Sequence, residues 1–296
     1  MTMHARLPSP IAPSIKWRNI LFDMLFYDVD KLTLEEQCDV LKLADHEGGV
    51  VVVSPGKGNR RVRAYANVDD CLKADKKAIQ AIVVAGVGSS AIGTAALACN
   101  VADAYDIDVA GIVSGYGVKD VVSESLGGWF FYGASDALGQ GFRALLDYWG
   151  KLPKLDASLE SGRQMTASAS PAVPLPEDVS ALIRILQAAP PGLRLLVGHS
   201  KGCLLLDFAL ERFAQTHQKH AYFKNLRVAT FGTVVNLPEK FERSYQFIGD
   251  LDWFGGVNSR LGMGHTKINQ GWHHLNSKYL FHMDVESVLK RYVPIR

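Results

Sequence analysis

The sequence predicts an α/β fold: a mostly parallel, twisted sheet of about eight strands with helices on both faces. Three observations predict it. From Ala78 onward, short apolar runs alternate with helical stretches, and a repeated β-α-β order implies a parallel sheet with helices covering it. The runs themselves are continuously apolar over strand length, as in Ile79-Gln80-Ala81-Ile82-Val83-Val84-Ala85. The length of 296 residues, with 48% apolar and 21% charged residues, suits one large α/β domain or two small ones with a sizeable core.

The elements follow in order. Residues 1–45 read as an N-terminal extension with a helical piece, in which Leu32-Thr33-Leu34-Glu35-Glu36 opens a helix carrying Val40, Leu41 and Leu43. A single domain is expected over 46–296. Gly49–Val53 and Arg61–Tyr65 read as strands around the turn Pro55-Gly56-Lys57-Gly58-Asn59. The run from Ile79 to Ala85 enters a helix at about Thr94–Ala104, and Val109–Val113 is the next strand. Glu177–Ala188 reads as a helix feeding a strand at Leu193–Val197. Leu226–Phe231, Tyr245–Ile248 and Thr266–Trp272 are further strands, and Val285–Tyr292 is a final helix. Residues 118–175 break this rhythm. They begin aromatic and end in a Ser-, Ala- and Pro-rich stretch, and they read as an insertion over one end of the sheet, between the fourth strand and Leu193–Val197.

Composition excludes several classes. With 32 Lys+Arg against 30 Asp+Glu the net charge is +2, which argues against nucleic-acid binding through a broad basic face. No run reaches 18 consecutive apolar residues, so no membrane-spanning helix is expected. Met1–Ile20 has no apolar core of the kind a secretory signal needs. Cys38, Cys71, Cys99 and Cys203 are scattered, with no CxxC pair to suggest zinc, and read as buried free thiols suited to a reducing cytoplasm. No metal or organic cofactor is implied.

The chemistry concentrates in Gly198-His199-Ser200-Lys201-Gly202, the only GxSxG in the chain. A strand precedes it and an apolar helix, Cys203–Leu210, follows. A sharp strand-to-helix turn needs small residues flanking the serine, because side chains there would meet neighbouring backbone. Such a turn holds Ser200 Oγ exposed at the sheet edge and at the positive end of a helix.

On this elbow and its chain order, the sequence resembles the α/β-hydrolase fold, in its lipase and esterase-like branch, from roughly Val50 to the C-terminus. The resemblance implies a Ser-Asp-His order along the chain. For the acid, Phe247-Ile248-Gly249-Asp250-Leu251-Asp252 follows the second strand after the elbow. Asp252 has the better offset and Asp250 is the alternative. For the base, His273 and His274 directly follow the last strand candidate, Thr266–Trp272. His273 is preferred, His274 is second, and His265 is third because it precedes that strand. Neighbouring side chains on an extended backbone point to opposite sides, so one of the vicinal pair at most faces Ser200. An oxyanion hole needs two backbone N–H donors: Lys201 after the nucleophile, and Val87 or Gly88 in the loop Gly86-Val87-Gly88-Ser89-Ser90.

The same loop carries a rival reading. Gly86-x-Gly88 with Gly93 further on resembles a dinucleotide fingerprint, but the spacing departs from GxGxxG, and Asp106 and Asp108 come too early for the ribose-binding acid. In the insertion, Trp129-Phe130-Phe131-Tyr132 suits an acyl pocket, a lid that touches a lipid surface, or plain core. The expectation is therefore a cytoplasmic serine hydrolase acting on a small-molecule or lipid acyl ester, with residues 118–175 as its lid. The alternatives are an acyltransferase or thioesterase on the same scaffold, or a non-catalytic binding protein.

Overall fold

The structure, a computed structural model, describes residues 23–44, 46–56, 60–86, 89–114, 175–217, 219–257, 259–260 and 262–295. Residues 1–115 and 176–296 form one compact unit and 116–175 a second. The expected lid and the Trp129–Tyr132 segment lie outside the described residues, as do Val87 and Gly88.

The first unit is built on one eight-stranded sheet. Its elements in chain order are α1 (Leu34–Ala44), β1 (Val50–Val53), β2 (Val62–Tyr65), α2 (Val68–Asp75), β3 (Ala81–Val84), α3 (Ala91–Tyr105) and β4 (Val109–Ile112). After the second unit come α4 (Glu177–Ala188), β5 (Leu195–His199), α5 (Lys201–Thr216), α6 (Tyr222–Asn225), β6 (Arg227–Phe231) and β7 (Arg243–Gly249). The unit ends with α7 (Trp253–Val257), β8 (Thr266–Ile268) and α8 (Val285–Tyr292). The strand order is β2-β1-β4-β3-β5-β6-β7-β8.

The sheet is mixed. From β4 to β8 every neighbouring pair is parallel, but β1 runs antiparallel to both β2 and β4. For β1 and β2 the cause is the connection, a short loop that returns the chain antiparallel, whereas the parallel pairs need crossover segments.

Strands β1, β3 and β4 are fully buried, and β1 shows why its sequence is Val50-Val51-Val52-Val53. Val51 and Val53 point into one core cluster, with α1, α3 and α8, while Val50 and Val52 point into the other, with α2, α4 and α5. A strand buried on both faces has no use for alternation. Helix starts are set locally. Thr33 and Glu36 form a reciprocal capping box at α1, with Thr33 N–H to Glu36 Oε2 at 2.7 Å and Glu36 N–H to Thr33 Oγ1 at 3.2 Å. Ser90 caps α3 through Ile92 N–H at 3.0 Å.

Two elements differ from expectation. The last strand is only Thr266–Ile268, so His273 sits five residues beyond it. The turn at 269–271 takes over because Gln270 adopts a left-handed φ of 54° and Gly271 N–H returns to the Ile268 carbonyl at 3.1 Å. Among the cysteines, Cys71, Cys99 and Cys203 are buried free thiols, but Cys38 is exposed, on the outer side of α1.

Candidate active site

Ser200 lies at the junction of β5 and α5 with φ 53° and ψ −123°, a backbone conformation that a non-glycine residue adopts only when its surroundings impose it. Those surroundings are legible atom by atom. A Cβ on Gly202 would overlap the Val84 carbonyl oxygen, and one on Gly198 would stand 2.8 Å from Leu206 Cδ1 and 3.0 Å from the Cys203 backbone. Ser200 N–H donates to the Phe231 carbonyl at 2.8 Å, and its carbonyl accepts Cys203 N–H at 3.0 Å. The side chain is thereby projected from the tip of the turn, half-buried. Lys201 is the first residue of α5, at the positive end of that helix.

Ser200 Oγ is 3.0 Å from His273 Nε2. His273 Nδ1–H donates to the Asp252 carboxylate, at 2.9 Å to Oδ2 and 3.1 Å to Oδ1. Asp252 Oδ1 also accepts Gly255 N–H at 2.6 Å, in the first turn of α7. His273 and Asp252 are 2% and 3% exposed, so this chain of polar groups is shielded from water except near the serine. The imidazole is held by ring packing: Phe254 at 4.7 Å and 77°, Phe26 at 6.0 Å and 87°, and His199 at 5.2 Å between centroids. Gly232, with φ +72° just after β6, fits flat beneath it, where a Cβ would stand 2.9 Å from His273 Cε1.

The alternatives lie elsewhere. Asp250 is exposed, and its backbone N–H pairs with Ile268 in the β7–β8 turn. His265 is exposed, with Nδ1 on the Met263 carbonyl at 3.0 Å. His274 turns the opposite way from His273 and donates Nε2–H to the Leu280 carbonyl at 3.1 Å. Burial lowers its pKa, so it stays neutral in that role.

Three polar residues at the site were given no role by sequence reasoning. His199, the second residue of the elbow, is buried and donates Nε2–H to the His273 carbonyl at 2.9 Å. Its Nδ1 therefore accepts the Tyr27 hydroxyl at 2.7 Å, and Tyr27 Oη accepts Gly86 N–H at 2.7 Å. Burial, reinforced by the nearby His273, holds the His199 pKa well below the usual imidazole range and keeps this tautomer neutral. Asp23 is the third. Its carboxylate accepts Ser89 Oγ–H at 2.9 Å, Ser90 N–H at 2.9 Å and Ser90 Oγ–H at 2.6 Å. Complete burial pushes its pKa up to about 7, against the pull of those hydrogen bonds. The one local signal was Asp23 inside an otherwise apolar, aromatic stretch, Leu21–Tyr27.

Asp23 also accounts for Gly93, which the dinucleotide reading had claimed. A Cβ on Gly93 would collide with Asp23 Oδ1. The carboxylate stands at the N-terminal end of α3, where a pyrophosphate would have to lie. Among the described residues no group of three or more His, Cys, Asp or Glu side chains is arranged to hold a metal ion, and no helix is long and apolar enough to cross a membrane.

No protein-family model matches the chain, and no curated protein does. Among solved structures, an esterase domain from a Rhodothermus marinus protein aligns at 14% identity with a TM-score of 0.34, over 83% of this chain and 98% of that one.

Proposed function

We propose that the protein is a serine hydrolase that cleaves carboxylic esters on an α/β-hydrolase scaffold of the lipase and esterase-like kind. The observation that carries the reading is the unbroken hydrogen-bonded series from Ser200 Oγ through His273 to Asp252, with the serine on a strained turn.

In this reading Ser200 Oγ attacks the substrate carbonyl while His273 Nε2 takes the hydroxyl proton. Asp252 fixes the tautomer that leaves Nε2 free to accept, and it stabilises the imidazolium as it forms. His273 then returns the proton to the departing alcohol, leaving an acyl-enzyme on Ser200. Water repeats the sequence: His273 accepts its proton, the hydroxide adds to the acyl carbonyl, and Ser200 leaves with the proton. The oxyanion is assigned to Lys201 N–H and to one N–H from Val87 or Gly88. Gly86 is unsuited to that part, because its N–H is already engaged by Tyr27.

The substrate is read as a neutral small-molecule or lipid acyl ester, with 118–175 as a lid. The test is labelling by a fluorophosphonate probe together with turnover of p-nitrophenyl esters. Both are expected in the parent chain and both are lost in Ser200→Ala. Equal turnover by parent and Ser200→Ala sinks the proposal, and labelling without hydrolysis, relieved by an added alcohol or thiol acceptor, converts it to an acyltransferase.

A further inference from the structure

The segment 23–28 touches both sides of the site. On one side Tyr27 Oη holds Gly86 N–H at 2.7 Å, and Asp23 holds Ser89 and Ser90, so both ends of the loop 86–90 are tied to it. On the other side the stretch that carries His273 is pinned to the same segment. Leu275 N–H donates to the Phe26 carbonyl at 2.8 Å and Asn276 Nδ2 to the Met24 carbonyl at 2.6 Å, while Asp28 Oδ1 takes Ser277 N–H at 2.7 Å. The two sides are also joined directly, from Gly86 through Tyr27 and His199 to the His273 carbonyl. The joint is tight, since a Cβ on Gly86 would lie 3.2 Å from both Ser200 Cβ and Tyr27 Oη.

We infer that Tyr27 and Asp23 are positioning residues, which set the loop after β3 and the imidazole of His273 in register with Ser200. The inference rests on the hydrolase reading above. Neither residue touches the reacting atoms. Their effect is geometric: hydrogen bonds aimed at a developing oxyanion act only if the donors are held where the charge will appear, and small displacements of the reacting groups are costly to the rate. A bracket built from a segment some sixty residues before the loop, and far from His273 in sequence, holds both to one reference. The tautomer follows from it as well. Tyr27 O–H occupies His199 Nδ1, which commits His199 Nε2–H to the His273 carbonyl and so fixes the backbone of the base.

The test uses the full chain, with kcat for p-nitrophenyl butyrate divided by the number of serines that a fluorophosphonate labels. Tyr27→Phe is expected to lose about 10- to 100-fold in kcat per labelled serine, with KM within about threefold of the parent. Tyr105→Phe is the control. It removes a half-buried tyrosine hydroxyl, bonded to the Leu289 and Val293 carbonyls at 2.9 and 2.7 Å and remote from the site, and is expected to keep the parental kcat per labelled serine. Asp23→Asn is the second variant. It is expected to lose a few-fold or more in kcat per labelled serine while melting no lower than the parent at pH 8, a divergence that a merely structural residue does not produce. A Tyr27→Phe protein with parental kcat, or one that loses no more than Tyr105→Phe, overturns the inference. If Tyr27→Phe does not fold, Asp23→Asn decides, and an unchanged kcat overturns it. A parent chain that the probe does not label at Ser200 overturns the hydrolase reading and this inference together, an outcome distinct from either variant result.

Discussion

Two buried carboxylates hold elements next to Ser200, Asp252 through His273 and Asp23 through Ser89 and Ser90, and their partners set them apart. Asp252 receives an imidazole N–H from His273 and a backbone N–H from Gly255. Asp23 receives the hydroxyls of Ser89 and Ser90 and the backbone N–H groups of Ser90 and Gly93, with no imidazole or other titratable partner among them. Each is almost completely removed from water. The difference teaches what a buried acid can do. Beside an imidazole it orients a base and can stabilise a positive charge that comes and goes. Among neutral donors it can only organise backbone, and above its raised pKa it does so as an uncompensated charge, at a cost in stability.

The sharpest way to break the comparison is to neutralise each acid in turn. Asp252→Asn is expected to lower kcat about 10⁴-fold, because the amide favours the wrong His273 tautomer. Asp250→Asn, on the exposed neighbour, is expected to stay within about twofold, and equal losses in the two variants would undo the assignment. The glycine that shapes the elbow comes next. Gly202→Ala forces a methyl group into the Val84 carbonyl and is expected to destabilise by about 3 kcal/mol or more, read by chemical denaturation.

Asp23 also carries a pH dependence of stability. The Asp23 carboxyl titrates near pH 7 in the folded chain and near 4 when unfolded. Below about pH 4 it is protonated in both states and makes no difference. As pH rises from about 4 to 7 the unfolded chain ionises first, so stability falls by an amount on the order of a few kcal/mol, and above about 7 it levels off. Asp23→Asn is expected to remove that slope and to gain stability at pH 8 but not at pH 4. An identical slope in both proteins would show that Asp23 is not its source. The smallest effect expected is that of His274→Gln, which gives up the bond to Leu280, costs about 1 kcal/mol and leaves kcat within about twofold. That outcome sharpens the contrast between the vicinal histidines.

Much of the scaffold was legible because its causes are local. Apolar runs marked β1, β3, β4 and β6 to within a residue or two, capping residues marked α1, and α4 and α8 span the predicted residues. The elbow was legible for the same reason: its glycines and strand-to-helix context lie within a few residues of Ser200. The antiparallel place of β1 between β2 and β4 was not, because which strands become neighbours is a property of the whole sheet. Nor was the bracket. Tyr27, Asp23 and His199 meet Gly86, Ser89 and His273 across sequence separations from 59 to 74 residues, and no spacing rule spans such gaps.

By itself the sequence determined that a serine would stand on a tight turn between an apolar strand and an apolar helix, because steric crowding around a turn is decided by adjacent residues. It also determined that one of His273 and His274 at most could face that serine, since consecutive side chains diverge. Only the tertiary structure decided that His273 is the one. The last strand ends at Ile268, the turn at Gln270 resets the backbone direction, and the Phe26 and His199 anchors then rotate His273 inward and His274 toward Leu280. The same holds for the carboxylates: the sequence shows where the acids are, and burial and partners, which belong to the packed molecule, decide what each is for.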